Sequence, residues 1–411
     1  MLLSFTLGNF LSFKEPVMLS MKPVRGLKDG DTAETHLINT EHSEIKSLLK
    51  SAAIYGANAS GKSNLLIGLM EMRKTVLESL LDIRPDRESI IQPFAFSEET
   101  VSEPTLFEVR ILLRKHIYRY GFEVRNRVIE AEWLYRDEEE LFMREKQDIS
   151  VEKSFPEGEG KEAQVRPEVP FLSVCHFLNG KISTEIIQDF FQQILWAGNH
   201  PRIIREALGD EKISERLLDL IKLADPGIRK FQRADKKREV FNRETGKYET
   251  KDVSVYEAVF ECDGSQASLA LEYLSSGTLR LITSASQILN SLDNGGIVII
   301  DEIDIQLHPL LVESLLNYFH SQNSSKAQLI FTTHNTFPLR QKMLRRDQVW
   351  FLNKQLDLSS QLVNFAEFKV PDDASYEKDY LAGRYGGIPM LDLPEIFTSY
   401  KESKKGRKVK K

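Results

Sequence analysis

Apolar and polar positions alternate from the first residues, and Leu2–Gly8 and Pro16–Met21 read as strands around a turn at Asn9–Glu15. The polar stretch Val24–His42 predicts a loop, and Ser43–Lys50 a helical segment. The continuous apolar run Ala52-Ala53-Ile54-Tyr55 predicts a buried strand, and Asn64–Met70 has helical spacing. Beyond Glu78–Arg87 the period falls to two. Pro93–Phe96, Leu106–Leu113, His116–Val124 and Val128–Tyr135 then predict an antiparallel meander, with Arg114-Lys115 at a turn. Glu138–Val169 is charged and interrupted by Pro and Gly, which predicts a loop or surface insertion. Thr184–Trp196 and Ser214–Leu223 predict helices, broken up by Pro201 and Pro226, with no lasting heptad seam. A strand follows at Val253–Cys262. Helical spacing at Leu279–Leu289 and Leu310–His320 then alternates with the buried-strand runs Ile297–Ile300, Gln328–Thr332 and Val349–Leu352. No internal repeat is visible. The pattern is that of an α/β protein.

Composition narrows this picture. With 411 residues, 41% hydrophobic and 28% charged, the chain can build a sizeable core over two or three domains. Its two cysteines, Cys175 and Cys262, give no disulfide framework and fit a reducing compartment. No apolar run approaches the roughly 18 residues of a membrane span, and the start lacks a basic region ahead of an apolar one. A cytoplasmic location is therefore expected. Net charge is −6, so the whole is no polycation. Lys401, Lys404, Lys405, Arg407, Lys408, Lys410 and Lys411 nonetheless make a basic tail, either solvated and disordered or a docking arm for phosphate or an acidic partner. Arg229, Lys230, Arg233, Lys236, Lys237, Arg238 and Arg243 form a second basic cluster, either a solvated hairpin face or a nucleic-acid track.

The candidate chemistry begins at Gly56-Ala57-Asn58-Ala59-Ser60-Gly61-Lys62-Ser63, a complete phosphate-binding loop between a predicted strand and a helix. Its backbone N–H groups and the helix start attract phosphate. Lys62 is expected on the β/γ-phosphates and the Ser63 hydroxyl on Mg²⁺. Asp301 ends a buried strand, where a carboxylate holds Mg²⁺ directly or through water; Glu302 follows as the residue to orient and deprotonate water. An acidic pair that merely starts a helix is the alternative. His334 ends the next strand, Phe331-Thr-Thr-His334, where it can hydrogen-bond the γ-phosphate, although a packing role is open to any lone histidine. Leu274-Ser275-Ser276-Gly277-Thr278 precedes a helix and forms a second anion site. One phosphate-binding loop needs only one such site. Two chains arranged head to tail would each offer Ser275 and Gly277 to the other's ATP, which predicts a nucleotide-sandwiched homodimer.

These motifs, in this order, resemble the ABC-type ATPases, and more closely their SMC/RecF/OLD-like branch than transporter subunits. Asn9-Phe10-Leu11-Ser12-Phe13 resembles the opening of RecF-like heads. Gly56–Asn64 is similar to that branch's phosphate loop, and Asp301-Glu302-Ile303-Asp304 through Leu307-His308-Pro309 to its acidic segment. Ala327–His334, Arg345–Phe351 and Tyr380–Pro389 resemble small bacterial AAA ATP-binding proteins of the abortive-infection and Rlo-A-like anti-phage families. The likeness spans nearly the whole chain except 137–250. It implies an ABC-ATPase head, a P-loop mixed sheet with an antiparallel β subdomain, plus an inserted, mainly helical region.

The division expected is 1–136 for the N-terminal lobe, 137–250 for the insert, 251–370 for the C-terminal lobe and 371–411 for an extension. The implied activity is conversion of ATP and water to ADP and phosphate, with Glu302, His334 and Lys62 catalytic. Nucleotide would bind residues Gly56 to Asn64 with Ser275 and Gly277 in trans, and Ser63, Asp301 and Gln92 would serve the metal. Gln92, ahead of Pro93-Phe94, is the candidate for the family's metal-sensing glutamine. A nuclease-like or TOPRIM-containing effector is the implied partner. Thr278 and Ser276 depart from the usual Leu-Ser-Gly-Gly-Gln, and Leu11 stands where many RecF-like heads carry a basic residue. The competing functions are a RecF-like DNA-maintenance ATPase that binds nucleic acid, a self-contained nuclease, and a nucleotide sensor with little turnover. Only 77 residues follow His334, and they hold no acidic cluster suited to a nuclease centre.

Overall fold

The computed structural model describes residues 1–27, 35–81, 91–198, 201–242, 246–340, 343–371 and 374–388. The basic tail, Arg243, Pro389 and the far end of the 78–87 stretch lie outside the described residues. Strands β1 (Leu2–Gly8) and β2 (Val17–Ser20) open the chain, followed by the short pair β3 (Leu37–Asn39) and β4 (Ser47–Leu49). Strand β5 (Ser51–Gly56) is buried along its whole length and leads into α1 (Lys62–Glu78). After α2 (Glu98–Ser102) come β6 (Thr105–Leu113), β7 (His116–Arg125), β8 (Val128–Arg136), β9 (Glu139–Glu145) and β10 (Asp148–Val151). Helices α3 (Phe171–Phe177) and α4 (Lys181–Asp189) precede β11 (Ile194–Trp196), α5 (Pro201–Gly209) and α6 (Glu211–Lys222).

A long hairpin, β12 (Ile228–Asn242) and β13 (Lys247–Cys262), adds β14 (Ser265–Ala270). Then α7 (Ser276–Asn294), β15 (Ile297–Ile300), α8 (Pro309–Gln322), β16 (Gln328–Thr333) and α9 (Phe337–Arg340) alternate. Strands β17 (Val349–Lys354) and β18 (Ser360–Asn364) and helix α10 (Tyr376–Leu381) complete the described elements.

Two large sheets organise the molecule. The first is antiparallel, in the order β10-β9-β8-β7-β6-β1-β2; the second runs β11-β15-β16-β5-β17-β18, parallel except for its last pair. Strands β5, β15 and β16 are buried at every position, as central parallel strands covered on both faces must be. Helix α1 lies between the two sheets: Leu65, Leu69 and Met72 share one core with Phe5, Phe107 and Ile54. Helix α7 covers the other face, with Ile282, Ala285 and Leu289 beside Val298, Ile300 and Phe331. Each such aliphatic side chain contributes about 2 kcal/mol on burial. This is an α/β architecture, and it gathers the C-terminal ends of β15, β16 and β5 at one edge.

Four local expectations need correction. Ser43–Lys50 is not helical: Ser47–Leu49 pairs antiparallel with Leu37–Asn39, and buried Leu48 packs with Leu3 and Leu112. Tertiary pairing outweighs a weak helical spacing here. Pro93–Phe96 forms no strand, because the side chain of Asn9 takes the Phe94 amide at 2.9 Å in place of a ladder partner. Glu138–Val169 is not a plain loop, since β9 and β10 extend the antiparallel sheet, with Glu139 and Glu145 exposed and Leu141, Phe142 and Arg144 buried. The helix expected over Thr184–Trp196 stops at Asp189. Ile194–Trp196 instead joins the second sheet, parallel to Ile297–Ile299. The 137–250 stretch therefore holds these strands and part of the long hairpin as well as α3 to α6.

Candidate nucleotide site

The phosphate-binding loop forms where β5 ends and α1 begins. Ala59 has φ +61° and Gly61 φ +102°, so the chain turns through left-handed backbone just before the helix. A Cβ on Gly61 would lie 2.4 Å from the hydroxyls of both Ser12 and Ser360, and one on Gly56 would lie 2.9 Å from the Leu352 carbonyl. Only glycine fits either position. Ser360 also donates to the Ser60 carbonyl at 2.6 Å, and Asn64 donates to the Ser12 hydroxyl at 2.9 Å. The loop is thus braced from the first residues and from β18. Lys62 Nζ donates to the carbonyls of Gly56 and Ala57, at 2.9 and 3.0 Å. Burial lowers its pKa, opposed by the nearby Glu302, Asp301 and Asp304 carboxylates.

The two acidic residues meet the loop through a continuous chain of hydrogen bonds. Ser63 donates to Asp301 Oδ2 at 2.7 Å, and Thr332 donates to Asp301 Oδ1 at 2.6 Å. The same Thr332 oxygen accepts from the Glu302 amide at 2.6 Å. Glu302 itself sits at φ +50°, an uncommon conformation for a non-glycine residue that the surrounding bonds hold in place. Ser63 and Asp301 offer adjacent hard oxygens, and no group of three or more His, Cys, Asp or Glu that could hold a metal ion occurs among the described residues. That donor set fits Mg²⁺, which binds through one or two protein oxygens and completes its shell with phosphate and water.

A cleft of about 850 Å³ opens over the loop. Ser12, residues Asn58 to Asn64 except Ser60, Gln92, Glu302 and His334 line it, with Leu11, Phe96, Val101 and Leu358 as an apolar wall and Lys354 at its edge. Gln92 is exposed there, and its carbonyl accepts from the Leu11 amide at 2.9 Å. The His334 amide donates to Asp304 at 3.2 Å. Burial and then the Lys62 charge lower the His334 pKa, opposed by the Asp304, Glu302 and Asp301 carboxylates.

Ser275 and Gly277 do not line this cleft. Ser275 caps α7, accepting from the Thr278 amide at 3.0 Å, and is exposed beside Tyr273, which is 70% accessible. Gly277 has a local reason as well, since a Cβ there would stand 2.6 Å from the Gln306 carbonyl. One turn further along α7, buried Arg280 donates to the carbonyls of Asp301, Glu302 and Ala197. Thr332, Arg280, Ser12 and Ser360 were not among the residues expected from sequence. The available signals were a threonine near the end of a buried strand and an arginine one turn into the helix that Ser275 caps.

A family model described as "AAA domain, putative AbiEii toxin, Type IV TA system" matches residues 51–339, more than half of the chain. No curated protein matches in sequence. Among solved structures, the SMC head domain from Thermotoga maritima is similar at 14% identity and TM-score 0.42, covering 90% of this chain and 99% of its own. An SMC head bound to the C-winged helix domain of ScpA is similar at 15% identity and TM-score 0.48, covering 88% and 96%. An SMC head with an extended coiled coil, bound to the C-terminal domain of ScpA derived from Pyrococcus furiosus, gives 13% identity and TM-score 0.43, covering 93% and 98%. Among the described residues, no helix is long and apolar enough to cross a membrane.

Proposed function

Because the chain belongs to the family of AbiEii-type AAA domains, we propose that it binds ATP with Mg²⁺, hydrolyses it, and works in the cytoplasm as a dimeric switch for a defence effector. The observation that carries this reading is the hydrogen-bonded chain Ser63–Asp301–Thr332–Glu302 beside Lys62 and His334 in one cleft. In this reading Glu302 orients the attacking water and takes its proton, while Lys62 and the start of α1 take up charge on the β- and γ-phosphate oxygens. His334 hydrogen-bonds the γ-phosphate, so its contact is lost after hydrolysis. Ser63 and Asp301 would hold Mg²⁺, with Gln92 near it; the ion supplies charge neutralisation on the phosphates when bound.

The exposed Ser275 cap and Gly277 support a head-to-tail homodimer, since a helix start that faces solvent in one chain can meet the nucleotide of another. The family description, which names a toxin of a toxin–antitoxin system, supports a defence setting. The effector proposed is nuclease-like or carries a TOPRIM domain.

Phosphate release separates this account from a passive nucleotide sensor. Wild type should hydrolyse ATP, and Glu302→Gln should lose roughly 10²–10⁴-fold in turnover while retaining ATP affinity. Equal turnover in the two proteins would remove Glu302 from the mechanism. The DNA-maintenance reading rests on exposed Arg229, Lys230, Arg233, Lys236 and Lys237 of β12. It is the weaker reading, because Arg229 and Lys236 are already paired with Glu261 and Glu257 across the hairpin.

A further inference from the structure

The stretch Tyr380–Ile388 lines no part of the cleft, yet it packs onto the root of the phosphate-binding loop. Its chain turns through three left-handed glycines, Gly383, Gly386 and Gly387, at φ +78°, +73° and +68°. A Cβ on Gly386 would collide with the Asn353 side chain at 2.0 Å, and one on Gly387 would stand 3.5 Å from the Cα of Gly56. The Gly387 amide donates to Asn353 Oδ1, and the Tyr380 hydroxyl donates to the Gly387 carbonyl at 2.9 Å. Asn353 directly follows Leu352, the strand partner of Gly56.

Aromatic rings fix the same turn from the side. Tyr380 stands edge-on to Tyr55 at 5.7 Å, immediately before Gly56, and stacks on Phe351 at 5.4 Å. Tyr385 stacks on Phe351 as well, at 5.6 Å. The helix leading into the turn holds a second part of the site. Glu377 of α10 accepts from the Thr336 hydroxyl at 2.7 Å, two residues beyond His334. One short segment therefore touches the root of the phosphate loop and the loop that carries His334. Three glycines in left-handed backbone each cost conformational entropy, which plain packing would not require.

We propose that residues 376–388 form a clamp that positions the phosphate-binding loop, so that docking of this segment and binding of nucleotide stabilise each other. The proposal rests on the nucleotide reading above. Coupling of this kind is reciprocal: a looser clamp weakens ATP, and ATP tightens the clamp.

The test pairs a calorimetric MgATP titration with hydrogen exchange on the full chain. Asn353→Ala and Tyr380→Phe each remove one bond to Gly387 without touching the cleft, and each should weaken MgATP by roughly five-fold. In wild type, MgATP should slow amide exchange across 376–388, and Lys62→Ala should abolish both binding and that protection. Tyr380→Phe keeps the ring stack, so it answers the question even if Asn353→Ala fails to fold. The proposal is overturned if exchange across 376–388 rises in either variant while MgATP affinity stays at the wild-type value. It is equally overturned if MgATP leaves that exchange unchanged in wild type, as a purely structural turn would. A wild type that takes up no MgATP sinks the nucleotide reading itself, and the wild-type titration alone distinguishes that result.

Discussion

One hydroxyl bonds both members of the acidic pair. Thr332 donates to Asp301 and accepts from the Glu302 amide, so its loss frees one carboxylate oxygen and the backbone turn at φ +50° together. Thr332→Val keeps the size and β-branching but removes the bond; turnover should drop on the order of tenfold or more, whereas Thr332→Ser should stay within a few fold. Matching turnover in the two variants would show that the hydroxyl does not matter. This residue also shows what sequence could and could not reveal. Gly56 to Ser63, Asp301 and Glu302 were legible because each motif is contiguous and its spacing is the chemistry. Thr332 and Arg280 act on residues 31 and 21 positions away, and Ser360 braces a loop 300 positions away. Such contacts exist only once the sheet has assembled, and no local pattern announces them.

Among the elements, the strands that position the site were the most readable. An uninterrupted apolar run marks β15, and shorter apolar runs mark β5 and β16, because both of their faces are buried. Strand β11 was hidden by its three-residue length and by the helix before it, and β9 by its four charged residues. At the opposite end of β5 from the phosphate loop, the rings of His36 and His320 stack at 3.9 Å. His36 bonds Gln348 at 2.7 Å and His320 bonds Ser51 at 3.0 Å, with Lys50, Arg345 and Asp347 nearby. Burial lowers both pKa values, that of His320 well below its ordinary 6.5. A depressed histidine binds fewer protons in the folded state than in the unfolded one. Stability therefore falls as pH drops from about 6.5 toward the folded values, by up to about 1.4 kcal/mol per pH unit for each group. Melting temperatures between pH 7.5 and 5.5 should show a shallower slope for His320→Gln than for wild type. Parallel slopes would mean that the buried pair does not carry the acid sensitivity.

At the scale of the whole molecule, the separation of the cleft from the helix start at Ser275 and Gly277 is the central point. Lys62, Ser63, Asp301, Glu302 and His334 converge in one chain, while Ser275 and Gly277 face elsewhere. Arg280 ties α7, whose start carries Ser275, to the carbonyls of Asp301 and Glu302. A second chain seated on Ser275 would thus press on a helix already bonded to the first chain's acidic turn. Sequence order indicated two anion sites for one loop. The three-dimensional arrangement adds Arg280, which bonds α7 to the acidic turn. The most direct measurement is the solution mass of Glu302→Gln by light scattering, with and without MgATP. The account predicts twice the chain mass with MgATP, the monomer without it, and the monomer under both conditions once Ser275→Arg is added. A monomer that binds MgATP yet never dimerises, or a dimer indifferent to nucleotide and to Ser275→Arg, would contradict it.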